Sequence, residues 1–229
     1  MEIEIYTNRL YKHLAKHGDA QIAKEQSAYM RNQFPFLGLK SPVLRAAADA
    51  YFKESGPVSK NQVMHFALAC ANYPEREMFH IAIDVLRKYS KHLEAKHIHD
   101  IKTLIIQGAW WDTTDGIAPN VVAKLVTQYP ELLSLMDEWI EDENMWIRRS
   151  AILYALKFKK KTDWERLQTY ILMRAHEKEF FIQKAIGWVL REYSKTNPDE
   201  VIQFIQNNPL APLSKREGLK WLKNKGLHT

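Results

Sequence analysis

Residues 180–195 read FFIQKAIGWVLREYSK. Wound at 3.6 residues per turn, Ile182, Ile186, Val189 and Tyr193 fall on one stripe, the pattern of a helix that buries one face. Phe181, Lys184, Trp188, Arg191 and Lys195 fall on another, at spacings of three and four. The first stripe predicts a helix packed into a core. The second sets a tryptophan among three cations. Cations meet phosphates and a ring meets a base or sugar, so such a face suits a nucleic-acid strand. Lysine stems can equally cover a tryptophan packed against a neighbouring helix.

The same period recurs along the chain. VLRAAADAYFKES (43–55), MFHIAIDVLRKYSKHL (78–93) and IRRSAILYALKFKK (147–160) all place apolar residues at i, i+3, i+4 and i+7. No segment sustains a period of two. Breakers fall between the runs, at Pro42, Gly56-Pro57, Pro74, Gly108, Pro130, Pro198, Pro209 and Pro212. Ser41-Pro42 and Asn197-Pro198 read as N-caps followed by proline. Small alanines sit mid-helix at Ala47, Ala82, Ala118, Ala151 and Ala185, separated by 35, 36, 33 and 34 residues. A repeat of that length holding two helices predicts an all-α solenoid of the HEAT or TPR kind. The alanines let neighbouring helices approach closely. Arg45, Arg149 and Gln183, each two places before a repeat alanine, predict a polar, partly basic concave face. The expected organisation is a single domain over residues 1–229.

Composition narrows the class. The 229 residues are 46% hydrophobic and 26% charged, as in globular proteins. A single cysteine, Cys70, lies in an apolar helical run and reads as a small buried hydrophobe. It excludes an internal disulfide framework and a multi-cysteine metal site. The first residues lack the blocks of a signal peptide, and no apolar run reaches about 18 residues, so no membrane span is expected. The expected home is a reducing cytoplasm. Net charge is +6 and unevenly spread. Residues 145–229 hold 17 Lys and Arg against 8 Asp and Glu, while residues 1–144 hold 16 against 19. A one-sided basic region is the footprint of a polyanion partner, usually nucleic acid.

Three short stretches carry chemistry. In QGAWWDTTD (107–115), Trp111 and Asp115 are four apart and share a helical face. Asp112 reads as the N-cap of the helix through DGIAPNVV, with Asp115 in its third position. An aromatic face and a carboxylate both stabilise a nearby cation. In NMWIRRSAIL (144–153), Arg148 and Arg149 point about 100° apart. Arg149 aligns with Met145, Leu153 and Leu156, and on that half-apolar face it needs an anion or a carbonyl as partner. HLEAKHIHD (92–100) offers His92, His97, His99 and Asp100, but His97 and His99 diverge on a helical run, which disfavours a metal site. Neither metal nor cofactor is expected.

The chain resembles the AlkD family of alkylpurine DNA glycosylases, built from HEAT-like repeats. The resemblance runs from about Tyr6 to Gly226. YMRNQFPFLGLKSP, YPERE, WWDTTD, NMWIRRSAIL, KEFFIQKAIGWVLREYSKTNPD and LAPLSKRE carry it. It implies that Asp115 is the catalytic aspartate and that Trp111 and Trp188 are the active-site tryptophans. Arg149 would contact phosphate, and Tyr29 would form an aromatic wall. Arg148 stands where a polar neighbour is expected and joins Arg149 as a second candidate for DNA. Lys184, Arg191 and Phe181 complete the expected DNA-binding set. The implied activity is release of N3- or N7-alkylated purines from duplex DNA by a monomer, without base flipping. A DNA-binding solenoid without catalysis and a protein-binding scaffold are the competing readings.

Overall fold

The computed structural model describes residues 2–227, and no strand occurs among them. The chain divides into two compact units, at Gly108. The first contains α1 (Ile3–Ala15), α2 (Ala20–Tyr29), α3 (Ser41–Ser55), α4 (Val63–Ala71), α5 (Arg76–Tyr89) and α6 (Ile98–Gln107). Helix α1 packs on α3 and α4, and α4 packs on α5 and α6. Tyr6, Leu10, Tyr51, Phe66, Met78, Leu86, Ile101 and Leu104 fill the core. Cys70 is fully buried, and desolvation pushes its thiol well up, as expected of a small hydrophobe.

The second unit contains α7 (Trp111–Ile117), α8 (Ala123–Gln128), α9 (Leu133–Trp139), α10 (Met145–Leu153), α11 (Trp164–Arg174), α12 (Phe180–Tyr193), α13 (Pro198–Asn207) and α14 (Pro212–Asn224). A π-helical turn, Ala118–Val122, joins α7 to α8. Helix α10 packs against both α7 and α12, and α12 lies along α14. The repeat alanines Ala47, Ala82, Ala118, Ala151 and Ala185 are all buried, so the period seen in the sequence marks real helix contacts.

Local starts and stops follow their chemistry in most places. Asn197 caps α13, accepting from the Glu200 amide, and Pro198 is its first residue. Asn144 caps α10 through the Trp146 amide at 2.9 Å. Two expected caps are displaced. Helix α3 is capped at Lys40, so Ser41 is its first residue. Helix α7 is capped at Trp110, whose extended backbone precedes the first turn, so Asp112 lies inside that turn and Asp115 in its fifth position. The chain can begin coiling early because the Trp110 carbonyl accepts both the amide and the hydroxyl of Thr114, each at 3.2 Å. The helix expected over 147–160 ends at Leu153 and tightens into a 3₁₀ turn at Tyr154–Lys157. Residues 151–156 are all buried, which no single face of a regular helix could do against one neighbour.

Candidate active site

Asp115 projects from α7 and Arg149 from α10, one repeat length later. The guanidinium grips the carboxylate with two nitrogens: Nε donates to Oδ1 at 3.0 Å, and Nη2 reaches Oδ1 at 2.7 Å and Oδ2 at 3.0 Å. The remaining nitrogen, Nη1, donates to the carbonyl of Phe181 in the first turn of α12. One arginine thus ties α7, α10 and α12 together. Its side chain is 4% exposed, while that of Asp115 is 21% exposed. The cation is sealed in and the carboxylate keeps an open edge. An ion pair of this kind stands because the two charges are hydrogen-bonded to each other; removing one partner costs about 3–5 kcal/mol.

The electrostatics of Asp115 are a contest. Desolvation pushes its carboxyl up, Arg149 pulls it down through charge and hydrogen bonds, and Asp112 pushes it up again. The net direction is upward from 3.8. A guanidinium remains charged throughout the accessible pH range. The pair is therefore a carboxyl that burial pushes up, beside a permanent cation that favours its ionised form, with less hydration than a surface aspartate.

Aromatic rings back this pair. Phe181 packs against Trp146 at 4.9 Å between centroids and against Trp110 at 5.5 Å, and Trp110 meets Trp146 at 5.8 Å. Trp146 is buried, whereas Trp110, Trp111, Phe181 and Trp188 are each partly exposed. Trp111 opens α7, one turn before Asp115, and Trp188 lies on α12. The burial of α12 separates the two stripes read from the sequence except at one end. Ile182, Ile186 and Val189 are buried, but Tyr193, expected on the same stripe, is only half-buried, its ring stacked on Trp164; Phe181, Lys184, Trp188, Arg191 and Lys195 are not buried.

The other expected site residues take varied positions. Arg148 is 13% exposed, and its guanidinium donates to the carbonyls of Asp142 and Glu143 and to Glu177. The adjacent arginines therefore serve different partners, as their angular separation requires. Lys184 and Arg191 both reach Glu217 of α14 at 3.1 Å. Tyr29 ends α2 in the first unit and is 73% exposed. Arg31 and Asn32 follow it with positive φ. Among the described residues no group of three or more His, Cys, Asp or Glu gathers as metal ligands; the His97 ring instead accepts from the Glu94 amide at 2.9 Å. Two parts of the site escaped the sequence reading. Trp110 and Trp146 were legible only as apolar residues, since their meeting with Phe181 joins three helices. Glu217 sits in the quoted run LAPLSKRE, with no local feature to pair it with α12.

A family model for DNA alkylation repair enzymes matches residues 10–222. The chain belongs to the DNA alkylation repair enzyme family. A solved structure described as a "Predicted DNA alkylation repair enzyme from Enterococcus faecalis" is 34% identical and superposes with a TM-score of 0.82. The likeness covers 90% of this chain and 96% of that one. No curated protein matches. Membership gives the all-α chain the helical-repeat fold of these repair enzymes and a role in repair of alkylated DNA. No described helix is long and apolar enough to cross a membrane.

Proposed function

We propose that the chain is a monofunctional alkylpurine DNA glycosylase, acting as a monomer on cationic lesions such as 3-methyladenine and 7-methylguanine in duplex DNA. The observation that carries this reading is the partly open carboxylate of Asp115, clamped by the buried Arg149. A purine alkylated at N3 or N7 is positively charged, so its bond to C1′ is already weak. As that bond breaks, its electron pair passes to the purine, which leaves neutral, and positive charge gathers on the sugar. A fixed carboxylate stabilises that charge without reorganising, the most effective form of electrostatic catalysis. It also orients a water for attack on C1′; the water's proton is released as the abasic site forms. Trp111 and Trp188 add cation–π attraction to the cationic sugar. Because the base departs neutral, no general acid is needed, and one carboxylate suffices where most glycosidases use two.

In this reading Tyr29, Phe181, Lys184 and Arg191 contact DNA without reading sequence, since contacts to the backbone position rather than specify. Arg149, buried and engaged with Asp115 and the Phe181 carbonyl, acts on the carboxylate and is left out of the phosphate-contacting set that the resemblance implied for it. Arg148, engaged with Asp142, Glu143 and Glu177, is left out of the DNA-binding set. The lesion stays stacked, and its own lability sets selectivity, in contrast to enzymes that flip the base into a pocket. Incubation with duplex DNA carrying 7-methylguanine tests the proposal. Free base and heat-labile abasic sites should appear together. Binding to the duplex with no base release would instead support a non-catalytic DNA-binding protein.

A further inference from the structure

Glu217 lies on α14 against α12. Its Oε1 pairs with Lys184 Nζ at 3.1 Å and its Oε2 accepts from Arg191 Nη1 at 3.1 Å. The approach is built into the helices. A Cβ at Gly187 would lie 2.5 Å from the Glu217 Cβ and 3.0 Å from the Ser214 carbonyl, so only glycine admits α14 this closely. Ser214 completes the contact, its hydroxyl donating to the Gln183 carbonyl at 2.9 Å. The two cations are 37% and 28% exposed, the carboxylate 15%. They flank Trp188 on the stripe assigned above to DNA. The third cation, Lys195, pairs with Glu192 at 2.6 Å. Each cation of the stripe therefore has a carboxylate partner.

A carboxylate that offers one oxygen to each of two cations presents what a bridging phosphate would present. Desolvation pushes the Glu217 carboxyl up, but Lys184, Arg191 and Lys220 together draw it below 4.5, so it is ionised at neutral pH. Partly exposed ion pairs are worth little in water, so these can exchange partners cheaply. We propose that Glu217 is an internal stand-in for a DNA phosphate. It occupies Lys184 and Arg191 until the backbone displaces it, and so lowers affinity for undamaged duplex. The inference rests on the reading that the α12 stripe meets DNA. It makes Glu217 a positioning residue that limits non-specific residence. An enzyme whose selectivity comes from lesion lability gains from such a limit, because most duplex it meets is undamaged.

The test is fluorescence-anisotropy binding to unmodified duplex across a salt series. The proteins are wild type, Glu217→Gln, Glu217→Asp, the Lys184→Gln/Arg191→Gln double variant and the triple variant. Glu217→Gln should bind roughly 2–30-fold tighter at low salt, the worth of one or two such pairs. The slope of log K against log salt should steepen by about 0.9 for each charge uncovered. Glu217→Asp, which keeps the charge, should bind as wild type. The double variant should bind weakly, and adding Glu217→Gln to it should restore nothing. Weaker or unchanged binding by Glu217→Gln, with the double variant still impaired, would overturn the stand-in while leaving the DNA face intact. An unimpaired double variant would overturn both. Thermal melts on the same samples separate any loss of folding from loss of binding.

Discussion

Asp115 is held in a state that its own surroundings resist. Burial favours the protonated carboxyl, and Arg149 supplies the compensating charge. Activity that needs the ionised form must therefore fall as pH drops through a pKa raised above 3.8, and level off above it. The acid limb of the single-turnover rate should lie at higher pH than for an exposed aspartate. Arg149→Lys removes the bidentate grip, and Arg149→Met removes the charge as well. Each should move that limb to still higher pH and slow excision at neutral pH. A pH–rate profile that is unmoved by Arg149→Met would exclude the clamp as the source of the ionised carboxylate. Arg149 was half legible in the sequence. Its half-apolar surroundings demanded an anion or a carbonyl, and the structure supplies both, in Asp115 and Phe181. The identity of the anion was hidden because 34 residues separate the partners. That separation is itself one repeat, so the period could have paired them.

The helix carrying Asp115 changes its pitch immediately beyond it. Pro119 has no amide to donate, and in a regular α-helix its ring would strike the carbonyl four residues back, that of Asp115. The widened turn at Ala118–Val122 avoids that clash, and the Asn120 side chain donates to the Gly116 carbonyl at 2.8 Å in compensation. Pro119→Ala lifts the constraint and should let this stretch revert to a regular helix, rotating Asp115 away from Arg149. The expected outcome is a lower excision rate with helical content and DNA affinity retained, read by single-turnover kinetics beside circular dichroism. An unchanged rate would show that the π turn does not set the carboxylate. The sequence reading runs a helix straight through DGIAPNVV, because the apolar residues continue on both sides of Pro119 and nothing local marks the widened turn. In the first unit, a buried acid helps to hold the segment after Tyr29. Glu77 is fully buried and accepts the amides of Leu37, Gly38 and Leu39 at 2.9, 2.9 and 3.1 Å. Glu77→Ala strands three donors and should cost about 3 kcal/mol or more in urea denaturation. A loss under about 1 kcal/mol would mean water replaces the carboxylate.

Across the whole chain, positive charge is concentrated in residues 145–229, where α10, α12 and α14 lie. Binding to duplex DNA should accordingly weaken steeply with salt and show no sequence preference. Lys184→Glu with Arg191→Glu should weaken it on every duplex tested; equal affinity at low salt would remove the basic stripe from the interface. The architecture was open to sequence reading because five buried alanines recur at nearly constant spacing and the breakers fall between helices. Helix ends were less open. Ser41 and Asp112 have the right side chains for caps, but backbone hydrogen bonds start both helices elsewhere. Ion pairs between repeats, such as Asp115 with Arg149 and Glu217 with the α12 cations, exist only once the helices are packed.

The most direct measurement is single-turnover release of 7-methylguanine from duplex DNA by wild type and by Asp115→Asn, with affinity for the same DNA measured in parallel. Asparagine keeps the size and one acceptor for Arg149 but removes the charge. The account predicts a rate lower by about 10²–10³-fold or more, with affinity unchanged or raised, because a carboxylate repels a phosphodiester in the ground state. Trp111→Ala and Trp188→Ala should each cost less, as a cation–π contact is worth only about 0.5–2 kcal/mol. Base release by Asp115→Asn at the wild-type rate would contradict the account.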